Sequence, residues 1–448
     1  MTFSSIPFLF FFFPVVMLLY FAVPGKLKNP VLLIGSLAFT LWGSPQYFPL
    51  ILLTVAMFYG CGIAISKAEN PKWKKTWMIL SVALSMALLA AFKALVESPL
   101  PISLPIGISF YTFRGISYTV DVYRGKVEPQ KNFITFASFL LMFPVMMFGP
   151  IVRYTDLAAA FEKREYSWEN FFLGLRRFII GLAKSVILGG NFLLMGTFLQ
   201  NATDQSVLFY WMYAFALLLY VYFDCSGCAD QAIGIGRMMG FAFVEDFNYP
   251  YTALSAQDFW RRWRMSLASW FKDYMYIPLG GNRVSKPRWV RNTLAIWAFT
   301  GLWHGFRITF VLWGLMFAVL LMFERWVPGF KKLPTFVRRI YLILTVTVSF
   351  VLFSAPDLAT AGQYLGSMFG FGKLPLFSQE AWFYLKSSAL LFVVGIIGVT
   401  PVVRNIALRI ENTKVGKVLG ILVPVVLLLV SVGYLVSGGD IGNLYADF

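Results

Sequence analysis

Apolar stretches of the length needed to cross a bilayer recur along this chain, and they constrain its fold more than any other feature. A spanning helix needs about 20 mostly apolar residues. Candidates run over 6–23, 31–42, 48–65, 77–96, 207–223, 309–323, 340–352, 382–401 and 418–436, with shorter or Gly/Pro-broken stretches between them. With 58% hydrophobic and 13% charged residues, and a mean hydropathy of +0.70, the chain does not fit an ordinary soluble globule. The expectation is an all-α polytopic membrane protein, because a helix satisfies its own backbone groups where lipid offers no partner. No Lys or Arg precedes the first stretch. It therefore lacks the basic start of a cleavable signal and is expected to be retained as a helix.

The net charge of +17 invites a nucleic-acid reading, but the positions of the cations argue against that partner. They sit in short loops: Lys26 and Lys28, then Lys67, Lys72, Lys74 and Lys75, then Lys331, Lys332, Arg338 and Arg339, then Arg404, Arg409, Lys414 and Lys417. Such loops face the cytoplasm by the positive-inside rule. The turn at 43–47 is uncharged and the tail carries only Asp440 and Asp447, which places both termini outside and requires an even number of crossings. The partner implied is the lipid bilayer, and the location is the inner or plasma membrane.

Nothing in composition divides the chain, so residues 1–448 are read as one integral membrane domain. Within it, 1–100 holds plain spans, 104–326 is a core with re-entrant elements, and 327–448 holds further spans. The core interleaves apolar helices with Gly, Pro, Arg, Asp and Asn. Irregular polar backbone at membrane depth is tolerated only where protein or water covers it, so an internal cavity is expected there. Cys225 and Cys228 form a Cys-x-x-Cys. No second pair or nearby histidine completes a metal site, and the pair is read as packing.

Residues 246–291 are too polar to span. Trp260, Trp263, Leu267, Trp270, Phe271 and Tyr274 recur at spacings of three and four, which predicts one amphipathic helix lying in or dipping into the interface. Asp258 and Arg262 are spaced for an ordinary helical ion pair. A turn at 278–283 follows, and Arg283, Lys286, Arg288 and Arg291 form a basic cytoplasmic loop. From Asn292 to Trp303 is twelve residues, or roughly 18 Å of helix, about half the ~30 Å hydrocarbon core. That delivers His304, the single histidine, near the midplane. A neutral imidazole tolerates low dielectric yet accepts a proton near neutral pH, which suits a general base. From physics alone, an acyltransferase and a transporter or flippase of lipid-linked sugar or acyl groups fit such a histidine equally.

Several ordered blocks carry a family likeness: Leu104-Pro105-Ile106-Gly107-Ile108-Ser109-Phe110-Tyr111-Thr112-Phe113, Asp121-Val122-Tyr123-Arg124-Gly125, Gly149-Pro150-Ile151-Val152-Arg153-Tyr154, Phe259-Trp260-Arg261-Arg262-Trp263, Tyr276-Ile277-Pro278-Leu279-Gly280-Gly281-Asn282-Arg283 and Thr300-Gly301-Leu302-Trp303-His304-Gly305. In these blocks, over nearly its whole length, the chain resembles the membrane-bound O-acyltransferases, in particular their bacterial alginate O-acetyltransferase-like branch. Two departures matter, and the lesser is that the family usually carries bulky aromatics where Cys225 and Cys228 stand. The family usually has a histidine directly after the Arg-Arg-Trp run, and Arg264 stands there instead.

The resemblance implies a bundle of about 10–12 transmembrane helices with re-entrant or interfacial helices around a central tunnel, and His304 at its constriction. It implies no tightly bound cofactor. The co-substrate is an acyl thioester, usually acetyl-CoA, reached from the cytoplasm, and the acceptor is a hydroxyl on an extracytoplasmic polysaccharide or on a secreted esterase-fold relay transferase. Acyl transfer needs a base, a donor for the oxyanion and exclusion of water. His304 is the candidate base. Asn282 or backbone N–H groups near Gly305 are candidate oxyanion donors, while Trp303, Arg264, Asp273 and Asp224 are candidate supporting or tunnel residues. Arg264 stays protonated and cannot be a base; a carbonyl, a phosphate or Asp273 would pair with it. Arg283, Lys286, Arg288 and Arg291 are candidates for the donor's phosphates. Transporters tend to repeat their broken helices in two halves, whereas here the irregular elements are concentrated in one region, which favours the enzyme. D-alanyl transfer to teichoic acid from a carrier-protein thioester remains open on sequence alone.

Overall fold

In the computed structural model, residues 2–99, 102–201, 205–371 and 373–437 are described; Asp440 and Asp447 lie outside them. Helices connected by turns make up the described residues, with no strand among them. Among the described residues, seven helices are long and apolar enough to cross a membrane, or eight if a bent pair counts as one span. That is fewer than the ten to twelve expected, because several apolar stretches fold into short or interrupted helices. The first is a π-helical turn, Phe8–Phe12, running into Phe13–Ala22. The stretch expected at 382–401 is broken at Ser388, where Gln379–Ser387 and Ala389–Gly398 meet at 56°.

Two compact units make up the fold. The first comprises Met1–Gly181, Cys228–Glu245 and Ser269–Tyr274. In it the helices Phe48–Lys67, Pro71–Val96 and Ile108–Tyr123 pack against one another. Glycines permit the approach. A Cβ on Gly62 would lie 2.6 Å from the Tyr118 ring, and one on Gly115 would collide with Phe58. Buried hydroxyls find partners across helices, as Ser81 Oγ does with Thr119 Oγ1 at 3.0 Å. Arg114 is 1% exposed and donates to the Phe139 carbonyl at 3.1 Å. It anchors protein to protein.

Leu182–Gly227, Asp246–Ala268 and Met275–Phe448 form the second unit. Its core is aromatic. Tyr220, Tyr222 and Phe223 from the helix Val207–Met238 meet Tyr251, Phe259 and Trp263. Cys225 and Cys228 are buried residues of that same helix. The helices Lys286–His304 and Ile308–Trp326 form the tightest hairpin of this unit, again through glycine. A Cβ on Gly301 would fall on the Phe310 carbonyl, and one on Gly314 on that of Trp297.

The single aromatic-striped helix expected from 260 to 274 is absent. In its place are a five-residue helix Ala256–Trp260, a turn, a helix Met265–Phe271 and a π-helical turn Lys272–Tyr276. The stripe is not lipid-facing either, since Trp263 is 4% and Trp270 3% exposed. The break has a specific cause. Arg264 adopts φ +45°, a left-handed conformation that a non-glycine residue holds only when its surroundings enforce it. Asp246 supplies that enforcement. Its carbonyl accepts from Met265 N at 2.8 Å, its Oδ1 from Ser266 N and Oγ at 3.0 and 2.5 Å, and its Oδ2 pairs with Arg264 Nε at 3.2 Å. These bonds satisfy the first N–H groups of a new helix, as an N-cap would, from a residue far upstream.

Candidate active site

His304 is the last residue of its helix, which Gly305 ends in extended conformation. The helix begins at Lys286, six residues earlier than expected, and its 19 residues span about 27 Å. Its first turns carry exposed Lys286, Arg288 and Arg291, so the apolar part still starts near Asn292. Aromatic rings hold the imidazole: Trp303 at 4.5 Å, Phe353 at 5.0 Å and Trp313 at 5.3 Å between ring centroids, the last two edge-on at 88° and 89°. Edge-to-face geometry of this kind is the favoured one for aromatic pairs and fixes ring orientation.

The half-buried imidazole faces a cavity of about 30 Å³, room for one or two water-sized groups. Thr300, Trp303 and His304 come from the end of one helix and Trp313 from the next, while Phe350 and Phe353 come from Thr335–Ser354. Trp260, Trp263, Arg264 and Leu267 close another side, with Val221. The glycine-mediated hairpin is what brings Trp313 beside His304. Trp260 is positioned by Glu324, whose carboxylate accepts from the backbone N–H groups of Ala256 and of Gln257, the latter at 3.1 Å. Trp260 then meets Trp297 at 5.1 Å and Trp313 at 5.7 Å.

Of the residues singled out in the sequence, His304, Trp303 and Arg264 line this cavity together. Arg264 is 5% exposed and paired with Asp246, which is fully buried; the pairing considered with Asp273 is not formed. Asp273 instead binds Arg153 at 2.7 Å, and its carbonyl accepts from Arg124 at 3.2 Å. Beside it, burial and a hydrogen bond to Asp121 hold the Tyr274 phenol protonated well above its usual range. Asp224 is buried and takes a hydrogen bond from Ser185 at 2.9 Å, the interhelical role, and it does not line the cavity.

Asn282 is not brought to His304. It is exposed before the other end of the histidine helix, where its Oδ1 accepts from Tyr276 at 2.8 Å and Arg325 at 3.1 Å. Arg283, Lys286, Arg288 and Arg291 are exposed at the same end. The sequence reading missed Asp246, Trp313, Phe350 and Phe353. Asp246 carried a signal, an acid opening the polar stretch that also contains Arg264. Tryptophan and phenylalanine inside apolar spans look like lipid-facing residues until the packing is known.

A family model for the membrane-bound O-acyltransferases matches residues 37–361. The chain belongs to that family and is an O-acyltransferase, built as a multi-pass integral protein of the inner membrane. Among its relatives is the probable alginate O-acetylase AlgI of Pseudomonas syringae pv. tomato, 36% identical over 395 residues, covering 83% of this chain and 76% of the relative. The peptidoglycan O-acetyltransferase of Helicobacter pylori is 30% identical over 437 residues, covering 86% and 83%. The teichoic acid D-alanyltransferase of Bacillus subtilis is 30% identical over 267 residues, covering 55% of this chain and 67% of its own length.

Proposed function

We propose that this protein moves an acetyl group from a cytoplasmic thioester, acetyl-CoA, to a hydroxyl on an extracytoplasmic cell-envelope polysaccharide or on a relay transferase, with His304 as the general base. The supporting observation is the joint presence of His304 and Arg264 in one small aromatic cavity with no acidic residue among its described lining. The imidazole takes the proton of the acceptor hydroxyl as its oxygen attacks the thioester carbonyl. When the tetrahedral intermediate collapses, the C–S bond breaks and the imidazolium returns a proton to the thiolate, leaving an ester and a free thiol. The apolar walls disfavour water, whose attack would waste the thioester.

The cavity favours a neutral acyl group. A D-alanyl group brings an ammonium ion, and with Asp246 already paired to Arg264 and no carboxylate in the described lining to receive it, that charge would be desolvated without a partner. The relatives named as O-acetyltransferases also cover more of this chain than the D-alanyltransferase does. Inverted membrane vesicles that enclose acceptor polysaccharide in their lumen and are given labelled acetyl-CoA outside provide the test. Wild type should transfer acetyl, and His304→Ala should transfer on the order of 10²-fold less. Undiminished transfer by a correctly inserted His304→Ala would remove the base, and D-alanyl transfer from a carrier thioester without acetyl transfer would overturn the donor.

A further inference from the structure

Two tryptophans of the cavity present a feature that packing does not explain. The indole N–H groups of Trp260 and Trp313 are buried and have no hydrogen-bond acceptor among the described residues, and both residues line the cavity that His304 also lines. An indole nitrogen can only donate. Buried tryptophans ordinarily find an acceptor, and an unsatisfied buried donor forfeits its hydration without return. Two such donors on residues lining one cavity point to an acceptor atom that arrives from outside the protein.

We propose that the indole N–H groups of Trp260 and Trp313 bind the carbonyl oxygen of the acyl thioester and the oxyanion formed from it. The proposal rests on the reading of this cavity as the acyl-transfer site. As the acceptor oxygen bonds to the carbonyl carbon, the carbonyl π pair moves onto oxygen, where the two N–H donors meet the new charge. The pair returns to re-form C=O as the C–S bond breaks. Both donors are rigid before substrate arrives, as such a role requires. Trp260 sits on a helix pinned by Glu324, and the Trp313 ring is 5.7 Å from that of Trp260 and 5.3 Å from His304. With Asn282 at the far end of the helix, these two indoles fill the role that it leaves open.

Trp313→Phe and Trp260→Phe remove the N–H and keep an aromatic ring. Each should lower kcat by about 10- to 100-fold, toward the range seen for loss of one oxyanion donor, with KM for acetyl-CoA rising by no more than about 5-fold because the thioester carbonyl is a weaker acceptor than the oxyanion. If either phenylalanine variant folds poorly, benzothienylalanine at the same position retains the bicyclic shape without the donor. Binding separates this role from that of the base. Two inert donors are compared, a ketone analogue of acetyl-CoA with methylene in place of sulfur, and ethyl-CoA, which has no carbonyl. In the His304→Ala background, loss of an indole N–H should weaken the ketone by about 5-fold and leave ethyl-CoA unchanged. Unchanged kcat and unchanged ketone affinity in the indole variants overturn the proposal whatever His304 does, whereas an active His304→Ala protein that retains the indole effects overturns the base alone.

Discussion

The two ends of the helix Lys286–His304 are built on opposite electrostatic terms. At its start Lys286, Arg288 and Arg291, with Arg283 just before them, are exposed, where water and salt screen each charge and a single contact is worth little. At its end the cavity-lining cation, Arg264, is 5% exposed and tied to a carboxylate of zero exposure, beside a histidine enclosed by aromatic rings. The same charge interacts many times more strongly in such a medium than in water. The lesson is a division of labour along about 27 Å of helix. The wet end is suited to gathering an anionic donor through many weak contacts, and the dry end to acting on a neutral acyl group through a few fixed ones.

The comparison is broken most severely at the dry end. His304→Ala should lower acyl transfer on the order of 10²-fold or more while leaving insertion intact, because the imidazole is half-buried and the hairpin is held by Gly301 and Gly314. Measured turnover in correctly inserted protein close to wild type would erase the distinction between the ends. Next in size is the Asp246 to Arg264 pair. Asp246→Asn leaves a buried guanidinium without its counter-charge, and removing one partner of such a pair costs about 3–5 kcal/mol. Thermal unfolding in detergent should move down by several degrees, with activity falling because Arg264 loses its left-handed support. Arg264→Lys should restore only part of the function, since an ammonium lacks the planar fork. Arg264→His, which puts back the family's usual residue, should also lose activity, because Asp246 in this chain is arranged for a guanidinium. Full activity in both Arg264 variants would mean that the pair has no part in the site.

What the sequence made legible follows the same division. The longer apolar stretches and the histidine beside Gly305 are local signals and lie on helices as their patterns implied, whereas most of the basic run at 283–291, expected as a loop, forms the first turns of the histidine helix. The failures that reshape the cavity are long-range. Periodicity at Trp260, Trp263, Leu267 and Trp270 predicts one helix, and the helix breaks because Asp246, 18 residues before Arg264, captures the Arg264 side chain and two backbone N–H groups. Nothing in a 3.6-residue pattern encodes a carboxylate arriving from elsewhere. Asn282 looked like a polar group near the histidine because only the chain between them was visible, and that chain proves to be a continuous helix that separates them. Trp313 was hidden for the converse reason. It lies nine residues after His304 inside an apolar span, and only the close crossing at Gly301 and Gly314 turns its ring toward the cavity.

The smallest effects are expected at the wet end, and they sharpen the comparison most directly. If Arg283, Lys286, Arg288 and Arg291 gather the donor's phosphates from the cytoplasm, neutralising any one of them should raise KM for acetyl-CoA by about 2- to 5-fold, the scale of an exposed ionic contact. The four together should add up while kcat stays near wild type, because contacts remote from the reacting carbon stabilise ground and transition states alike. The KM effect should shrink as salt rises, since these side chains lie in solvent. A cysteine at exposed Ser285 should react with a membrane-impermeant maleimide in inverted vesicles and not in intact cells. Labelling from outside would put the basic end on the wrong side of the membrane for a cytoplasmic thioester. A fall in kcat with KM unchanged would instead place these cations in the chemistry and end the division between the two ends of the helix.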